Sequence, residues 1–110
     1  MIEEHIRKTE SAVNAAQNIS DDKKTELLGR VAGLKSALEK VSETRHEDAR
    51  SIARFAEDAA HEATQTKKNP KRLETALHRL KQSVEEFEAS HPELVARVNE
   101  FATLLAEMGL

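Results

Sequence analysis

The chain has 110 residues, of which 34% are charged and 38% hydrophobic, and its formal net charge is −3. It contains three Phe but no Cys, Trp or Tyr. The lack of Cys excludes disulfides, Cys-ligated zinc, iron–sulfur clusters and thiol catalysis. The scarcity of aromatic residues argues against a stacking platform for single-stranded nucleic acid. The length suits one domain, residues 1–110, with a core of its own.

Apolar residues recur at alternating steps of four and three in five segments, and this period predicts five helices. Their expected bounds are 2–17, 21–42, 45–66, 70–89 and 91–108. Because three Gly and two Pro leave little material for long turns, we expect short connections. The predicted fold class is therefore all-α, an antiparallel, coiled-coil-like helical bundle.

The second helix carries two stripes of different character. One is a regular row of large apolar residues: Leu27, Val31, Leu34, Leu38 and Val41. The other consists of small residues and lies about 120° around the helix: Gly29, Gly33 and Ala37. The small residues indicate either a groove where another helix approaches closely or glycines tolerated on a solvent-facing side.

The third helix is unusually rich in alanine along its inner face, which includes Ala56, Ala59 and Ala63. Such a helix is either the crowded centre of the bundle or a weakly held helix that awaits a partner. We predict a break before it, although the apolar pattern would also permit one continuous rod, and Thr44 with Glu47 could form a capping box there. These three alanines, with the small residues of the second helix, form the candidate interaction surface.

Two of the predicted connections contain residues that are typical of helix starts. Asn69 is a good N-cap and Pro70 fits the first helical position, so the fourth helix is predicted to begin there. Ser90 and Glu93 have the spacing of a capping box, and Pro92 fits the first turn of the fifth helix.

The amino-acid sequence of several segments resembles that of a family of short bacterial helical proteins, a domain of unknown function with a Ser-His-Pro motif near the C-terminus. The likeness spans nearly the whole chain and rests on these segments: Met1-Ile2-Glu3-Glu4-His5-Ile6-Arg7-Lys8, Asp21 to Ala37, Ser51-Ile52-Ala53, His61-Glu62-Ala63-Thr64, and Glu85 to Val98 around Ser90-His91-Pro92. The resemblance implies a bacterial, mostly helical protein. It brings no activity and no catalytic residues.

Catalytic and metal chemistry find little support in the sequence. There is no Gly-x-Ser-x-Gly, no Gly-rich phosphate loop and no second His for a zinc-protease pattern. His61 has Asp58 three residues before it and Glu62 beside it, which leaves a metal-binding helical bundle as one alternative. Surface His residues near carboxylates explain the same spacing. We therefore predict no enzyme, no cofactor and no committed metal site.

Charge is distributed unevenly along the chain. Residues 67–81 hold six basic residues against one acidic residue, a local charge of +5, whereas residues 85–110 hold one basic residue against six acidic ones, a local charge of −5. The basic segment, above all Lys67, Lys68, Lys71 and Arg72, suggests either phosphate binding in a nucleic-acid-associated protein or antiparallel self-association with Glu85–Glu88 of another copy. A solvated polar face with local charge pairs is the third interpretation.

The function favoured by the sequence is a non-enzymatic protein–protein interaction or scaffold module, expected to form a homodimer. The acidic start of the chain does not match a signal peptide, and no apolar run approaches the ~18 residues needed to span a bilayer. We therefore expect a cytoplasmic protein that neither enters a membrane nor depends on nucleic acid.

Overall fold

A computed structural model describes residues 2–17 and 19–109. Its elements follow the predicted order: α1 (Ile2–Ala15), α2 (Asp21–Ser42), α3 (His46–Ala63), α4 (Pro70–Val84) with a short 3-10 helix (Glu85–Phe87), and α5 (Pro92–Gly109). The all-α prediction is confirmed, and α2 and α3 are separate helices rather than one rod.

The apolar stripes become one hydrophobic core. The predicted row of large apolar residues on α2 is fully buried, as are large apolar residues of the other four helices: Leu27, Val31, Leu34, Leu38 and Val41 on α2, with Ile6, Ile52, Leu80 and Phe101 elsewhere. The central helix is α3, which contacts each of the four other α-helices. It lies between α1 and α4 in one layer, while α2 and α5 form a second layer across it.

The crowding around α3 explains its alanines. Ala56, Ala59 and Ala63 are all 0% exposed, because helices on several sides approach closely only where side chains are short. Their assignment to an interaction surface is therefore wrong, since other helices of the same chain cover them. Ala37 of α2 is likewise buried, at 4% exposure, and does not belong to a free surface.

The α2–α3 joint is held by its arginine rather than by the expected capping box. The cap residue of α3 is Arg45, which makes no side-chain cap hydrogen bond. Its guanidinium lies 2.6 Å from Asp48 and 3.3 Å from Glu86, and 4.9 Å from the centre of the Phe87 ring. Hydrogen bonds to Asp48 and then Glu86 raise the pKa of Arg45 above its usual value. This side chain thus ties the start of α3 to the end of α4.

The two other predicted joints differ in outcome. The Asn69 side chain accepts a hydrogen bond from the Arg72 amide at 3.1 Å, so Asn69 caps α4 and Pro70 opens it, as predicted. The carbonyl of His91 accepts from the amides of residues 94 and 95, so α5 is capped by His91. The prediction of Ser90 as the cap, paired with Glu93, is wrong by one residue. The Ser90 hydroxyl instead lies 3.1 Å from His91 Nδ1, and Pro92 is the first residue of α5.

Three helices end earlier than predicted. α1 stops at Ala15 and α3 at Ala63, where the Thr64 hydroxyl donates to the Ala60 carbonyl at 2.8 Å. α4 stops at Val84 and tightens into the 3-10 helix. Because a 3-10 helix repeats every three residues, this tightening keeps Phe87 in line with Val84, and Phe87 is fully buried.

Candidate functional site

A surface depression runs between α3 and α4, and we call it the α3–α4 groove. Two cavities lie end to end in it. The first has a volume of about 660 Å³ and is lined by Asp58, His61, Glu62, Asn69, Lys71, Arg72, Thr75, Ala76 and Arg79. The second has a volume of about 600 Å³ and is lined by Asp48, Ser51, Gln82, Ser83, Glu85 and Glu86.

The helical repeat of three and four residues builds the rims of this groove. On α3 the residues at this spacing are Asp48, Ser51, Phe55, Asp58 and Glu62. On α4 they are Arg72, Ala76, Arg79, Ser83 and Glu86. Since α3 and α4 follow one another through a short connection and run antiparallel, the C-terminal end of α3 lies beside the basic start of α4.

The middle of the groove is apolar. Phe55 lies between the lining residues Ser51 and Asp58 on the same side of α3. It is only half-buried, whereas Phe87 and Phe101 are both 0% exposed. Ala76 is also half-buried, and both residues rest on the hydrophobic core. Ala76 lines the first cavity, and Phe55 neighbours the lining residues of α3; we call these two residues the apolar floor of the groove, and charged residues flank them.

Five charged side chains that line the first cavity of the groove have no ion-pair partner among the described residues. Over residues 2–17 and 19–109, no opposite charge lies within 4.0 Å of any of these five side chains: Asp58, Glu62, Lys71, Arg72 and Arg79. The acidic wall and the basic wall thus face the same space without closing on one another.

The seam between α2 and α5, on the other layer, has the opposite character. Three ion pairs cross it: Lys23–Glu107 at 3.6 Å, Arg30–Glu100 at 3.2 Å and Lys40–Glu93 at 3.6 Å. Arg97 adds pairs along α5 to Glu93 and Glu100. This surface pairs its own charges across the helices, whereas among the described residues of the α3–α4 groove only Asp48 and Glu86 are paired, both with Arg45.

The two glycines of α2 lie on this seam side and differ from one another. A Cβ at Gly33 would approach the Arg97 Cδ to 3.3 Å, so Gly33 gives room to a side chain from α5 of the same chain. Nothing lies within 4 Å of a Cβ at Gly29, which is exposed. The close-approach interpretation therefore fits Gly33, and the tolerated-glycine interpretation fits Gly29.

The four residues of the predicted basic patch do not act together. Lys71 and Arg72 line the groove, and Lys67 is exposed beside it. Lys68 turns inward, where its Nζ donates to the Ala63 carbonyl at 2.6 Å and to the Met108 carbonyl at 3.2 Å. The grouping of Lys68 with the other three is therefore wrong, because its ammonium bonds the C-terminal turns of α3 and α5.

Two residues at the groove are not among those predicted from the sequence. Arg79, one of the six basic residues of 67–81, lines it and stands seven residues, two helical turns, after Arg72. Phe55 lies on α3 between the lining residues Ser51 and Asp58. Both residues could have been identified from the register of α3 against α4 across the groove. That register can be assigned only once the two helices are known to be neighbours.

The surroundings of His61 do not support the metal-binding alternative. Nε2 of His61 lies 2.8 Å from the Gln65 side-chain amide nitrogen. In the part of the chain that the structure describes, no group of three or more His, Cys, Asp or Glu side chains could hold a metal ion. In that same part, no helix combines the length and apolar character required to cross a membrane.

A smaller pocket of about 250 Å³ lies at the Ser-His-Pro motif, where Ala37, Val41 and Leu94 form its apolar wall. The Lys40–Glu93 ion pair lies at this pocket, so its charges, unlike those of the α3–α4 groove, are already matched.

Comparison with known proteins gives a family for the chain. The model of a domain of unknown function, DUF4404, matches residues 27–110. No curated protein and no solved structure matches the chain. The matched stretch contains α3, α4 and α5 whole, and with them every lining residue of the α3–α4 groove. The predicted resemblance to an uncharacterised family is thereby confirmed over residues 27–110, and the chain belongs to the family described as a domain of unknown function, DUF4404.

Proposed function

We propose that this protein is a non-enzymatic protein–protein interaction module and that the α3–α4 groove is its docking surface. The observation that carries the proposal is the contrast between two faces of one small bundle. The α2–α5 seam pairs its charges across the helices, while five charged side chains at the groove have no ion-pair partner among the described residues. A partner that brings the matching charges would complete them.

The groove suits a helix from the partner. α4 has 15 residues, so it is about 22 Å long at 1.5 Å per residue. A groove between two parallel helix axes accepts a third helix of similar length through its apolar side. Phe55 and Ala76 would meet that apolar side, and the unpaired carboxylates and cations would select charged residues along its edges.

Complementary charges at the edges of such a contact set the orientation and the rate of association more than its strength. Exposed ion pairs contribute about 0–1 kcal/mol each. The apolar floor would therefore supply most of the affinity, and the charges would decide which helix docks and in which direction.

The second candidate is the nucleic-acid-associated protein suggested by the basic segment. It is favoured by Lys67, Lys71 and Arg72, which are exposed and have no ion-pair partner among the described residues. It ranks second because Asp58 and Glu62 share the same cavity and would repel a phosphate backbone. Lys68, bonded to two carbonyls, adds nothing to such a site.

The proposal is tested by affinity capture of the tagged protein from lysate of the source cells, with and without nuclease. The variant R72E/R79E reverses the charge of two residues on the basic wall. The control R7E/K8E makes the same change of charge on the exposed side of α1. We expect a protein partner that survives nuclease, is retained by the control and is lost from R72E/R79E.

Capture of nucleic acid, or of proteins that disappear with nuclease, would move the assignment to the second candidate. Equal capture by R72E/R79E and the control would place the docking surface elsewhere and overturn the proposal. We propose further that the protein is a scaffold of the bacterial cytoplasm.

A further inference from the structure

We infer that the occupant of the α3–α4 groove is the same groove of a second copy of this chain, with the twofold axis parallel to the groove. This inference rests on the proposed function and names its partner. A twofold contact presents one surface patch to itself, so every feature of the patch must be complemented by another feature of the same patch.

An axis along the groove provides that complementarity. Such an axis places α3 of one copy over α4 of the other, with both ends of the groove kept in register. Asp58 and Glu62 of each copy then face Lys71, Arg72 and Arg79 of its partner. This set of contacts occurs twice in the dimer. It pairs the charged side chains that have no ion-pair partner among the described residues of one chain.

The apolar centre fits the same axis. Phe55 lies between Ser51 and Asp58 on the groove side of α3, and it is the one Phe of the chain that is not fully buried. An axis along the groove sets each Phe55 against the rim of the partner's α4 that carries Ala76. Ala76 is half-buried, and its short side chain leaves room for the ring.

An axis perpendicular to the groove is the competing arrangement. It would set the basic start of α4 against the acidic end of α4 in the other copy, as the uneven charge of the sequence first suggested. However, Glu86 at that acidic end already pairs with Arg45 at 3.3 Å. The parallel axis uses carboxylates that have no such partner, and we therefore prefer it.

The size of the groove sets the expected strength. Two neighbouring helices about 22 Å long and about 10 Å wide each offer a footprint of about 450 Å² per copy, or about 900 Å² in total. This is below the roughly 1,200–2,000 Å² of stable specific interfaces and in the range of weak, transient contacts. The dimer should therefore be weak and concentration-dependent, and its dissociation constant should rise by about tenfold between 0.1 M and 1 M salt, because exposed charges are screened.

The axis can be tested because the chain has no Cys, so one introduced thiol reports one position. S51C and S83C place a thiol on the α3 rim and on the α4 rim of the second cavity, and A96C places one on an exposed position of α5. Because the parallel axis sets α3 of one copy over α4 of the other, we expect an equimolar mixture of S51C and S83C to cross-link under mild oxidation, giving twice the 12.3 kDa mass of one chain. Each variant alone, and a mixture of S51C with A96C, should give far less of this product.

A perpendicular axis would set α3 against α3 and α4 against α4 with their directions reversed, so Ser51 of one copy and Ser83 of the other would lie at opposite ends of the groove. Failure of the S51C and S83C mixture to cross-link, or cross-linking of the mixture with A96C to the same extent, would overturn the inference.

A charge-swap experiment tests the contact without relying on thiols. R72E/R79E makes both walls acidic, and D58R/E62R makes both walls basic, so each variant alone should sediment as a single chain. Their equimolar mixture should recover the mass of a dimer. Circular dichroism of each variant checks that the fold is kept.

A mixture that stays monomeric while the unaltered chain dimerises would overturn the charge pairing. If the unaltered chain stays single at every concentration, the second copy is not the occupant. The proposed function would nevertheless stand if capture from lysate still depended on Arg72 and Arg79.

Discussion

Lys68 offers the sharpest test of how the helix ends are held together. Its Nζ donates to the carbonyls of Ala63 and Met108, at 2.6 and 3.2 Å, in the last turns of α3 and α5. A cation near a helix C-terminus stabilises it by about 0.3–1 kcal/mol, and hydrogen bonds that involve a charged group contribute about 1.5–3 kcal/mol when well buried. Because Lys68 is half-buried, the low ends of these ranges apply. We expect K68M, which keeps the aliphatic stem, to lower the free energy of unfolding by about 1–2 kcal/mol.

The neighbouring lysine supplies the control. Lys67 is exposed, so K67M should change the free energy of unfolding by less than about 0.5 kcal/mol. Urea unfolding followed by circular dichroism measures both variants, and an unchanged denaturant slope would show that the difference lies in stability. Equal stability of the two variants would refute the assignment of Lys68 to the helix ends. Loss of nucleic-acid binding in K68M without loss of stability would return Lys68 to the basic patch.

The remaining predictions use the same unfolding measurement. G29A should stabilise the protein by about 0.5–1 kcal/mol because the position is open, while G33A should gain less, since its new methyl group meets a side chain from α5; an equal gain would contradict the close approach. A56L should cost about 1–3 kcal/mol by overpacking the core, and a neutral effect would mean that this face of α3 is not enclosed. N69A should lose about 1 kcal/mol with its helix cap, and S90A should lie within about 0.5 kcal/mol of the unaltered protein; the reverse order would restore Ser90 as the cap.

The apolar period made most of the fold predictable from the sequence. Large residues spaced by four and three, such as Leu73, Leu77 and Leu80, have one stable solution, which is burial against other helices. The dipeptide Asn69–Pro70 predicted the first residue of α4 correctly. Helix ends were harder, because competing hydrogen bonds such as that from Thr64 to the Ala60 carbonyl shorten a helix without leaving a strong mark in the sequence.

The candidate site was less predictable because it depends on which helices become neighbours. Alanine at position 56 suits a free surface and a crowded core equally well, and only the position of α3 among four other helices decides between them. Likewise, nothing in the order of residues shows that Lys68 turns inward while Lys71 lines the groove. The partnerless charges of α3 and α4 become visible only when the ion pairs of the whole bundle are known.

Photo-crosslinking inside the source cells is the most direct test of the claim that the α3–α4 groove docks a protein. A benzophenone amino acid would replace Thr75, an exposed residue that lines the groove, and, as the control, Ala96 on the exposed side of α5. We predict a light-dependent protein adduct from position 75 that is absent from position 96, whether the captured chain is a second copy or another protein. No adduct at position 75, or the same adducts from both positions, would contradict the account.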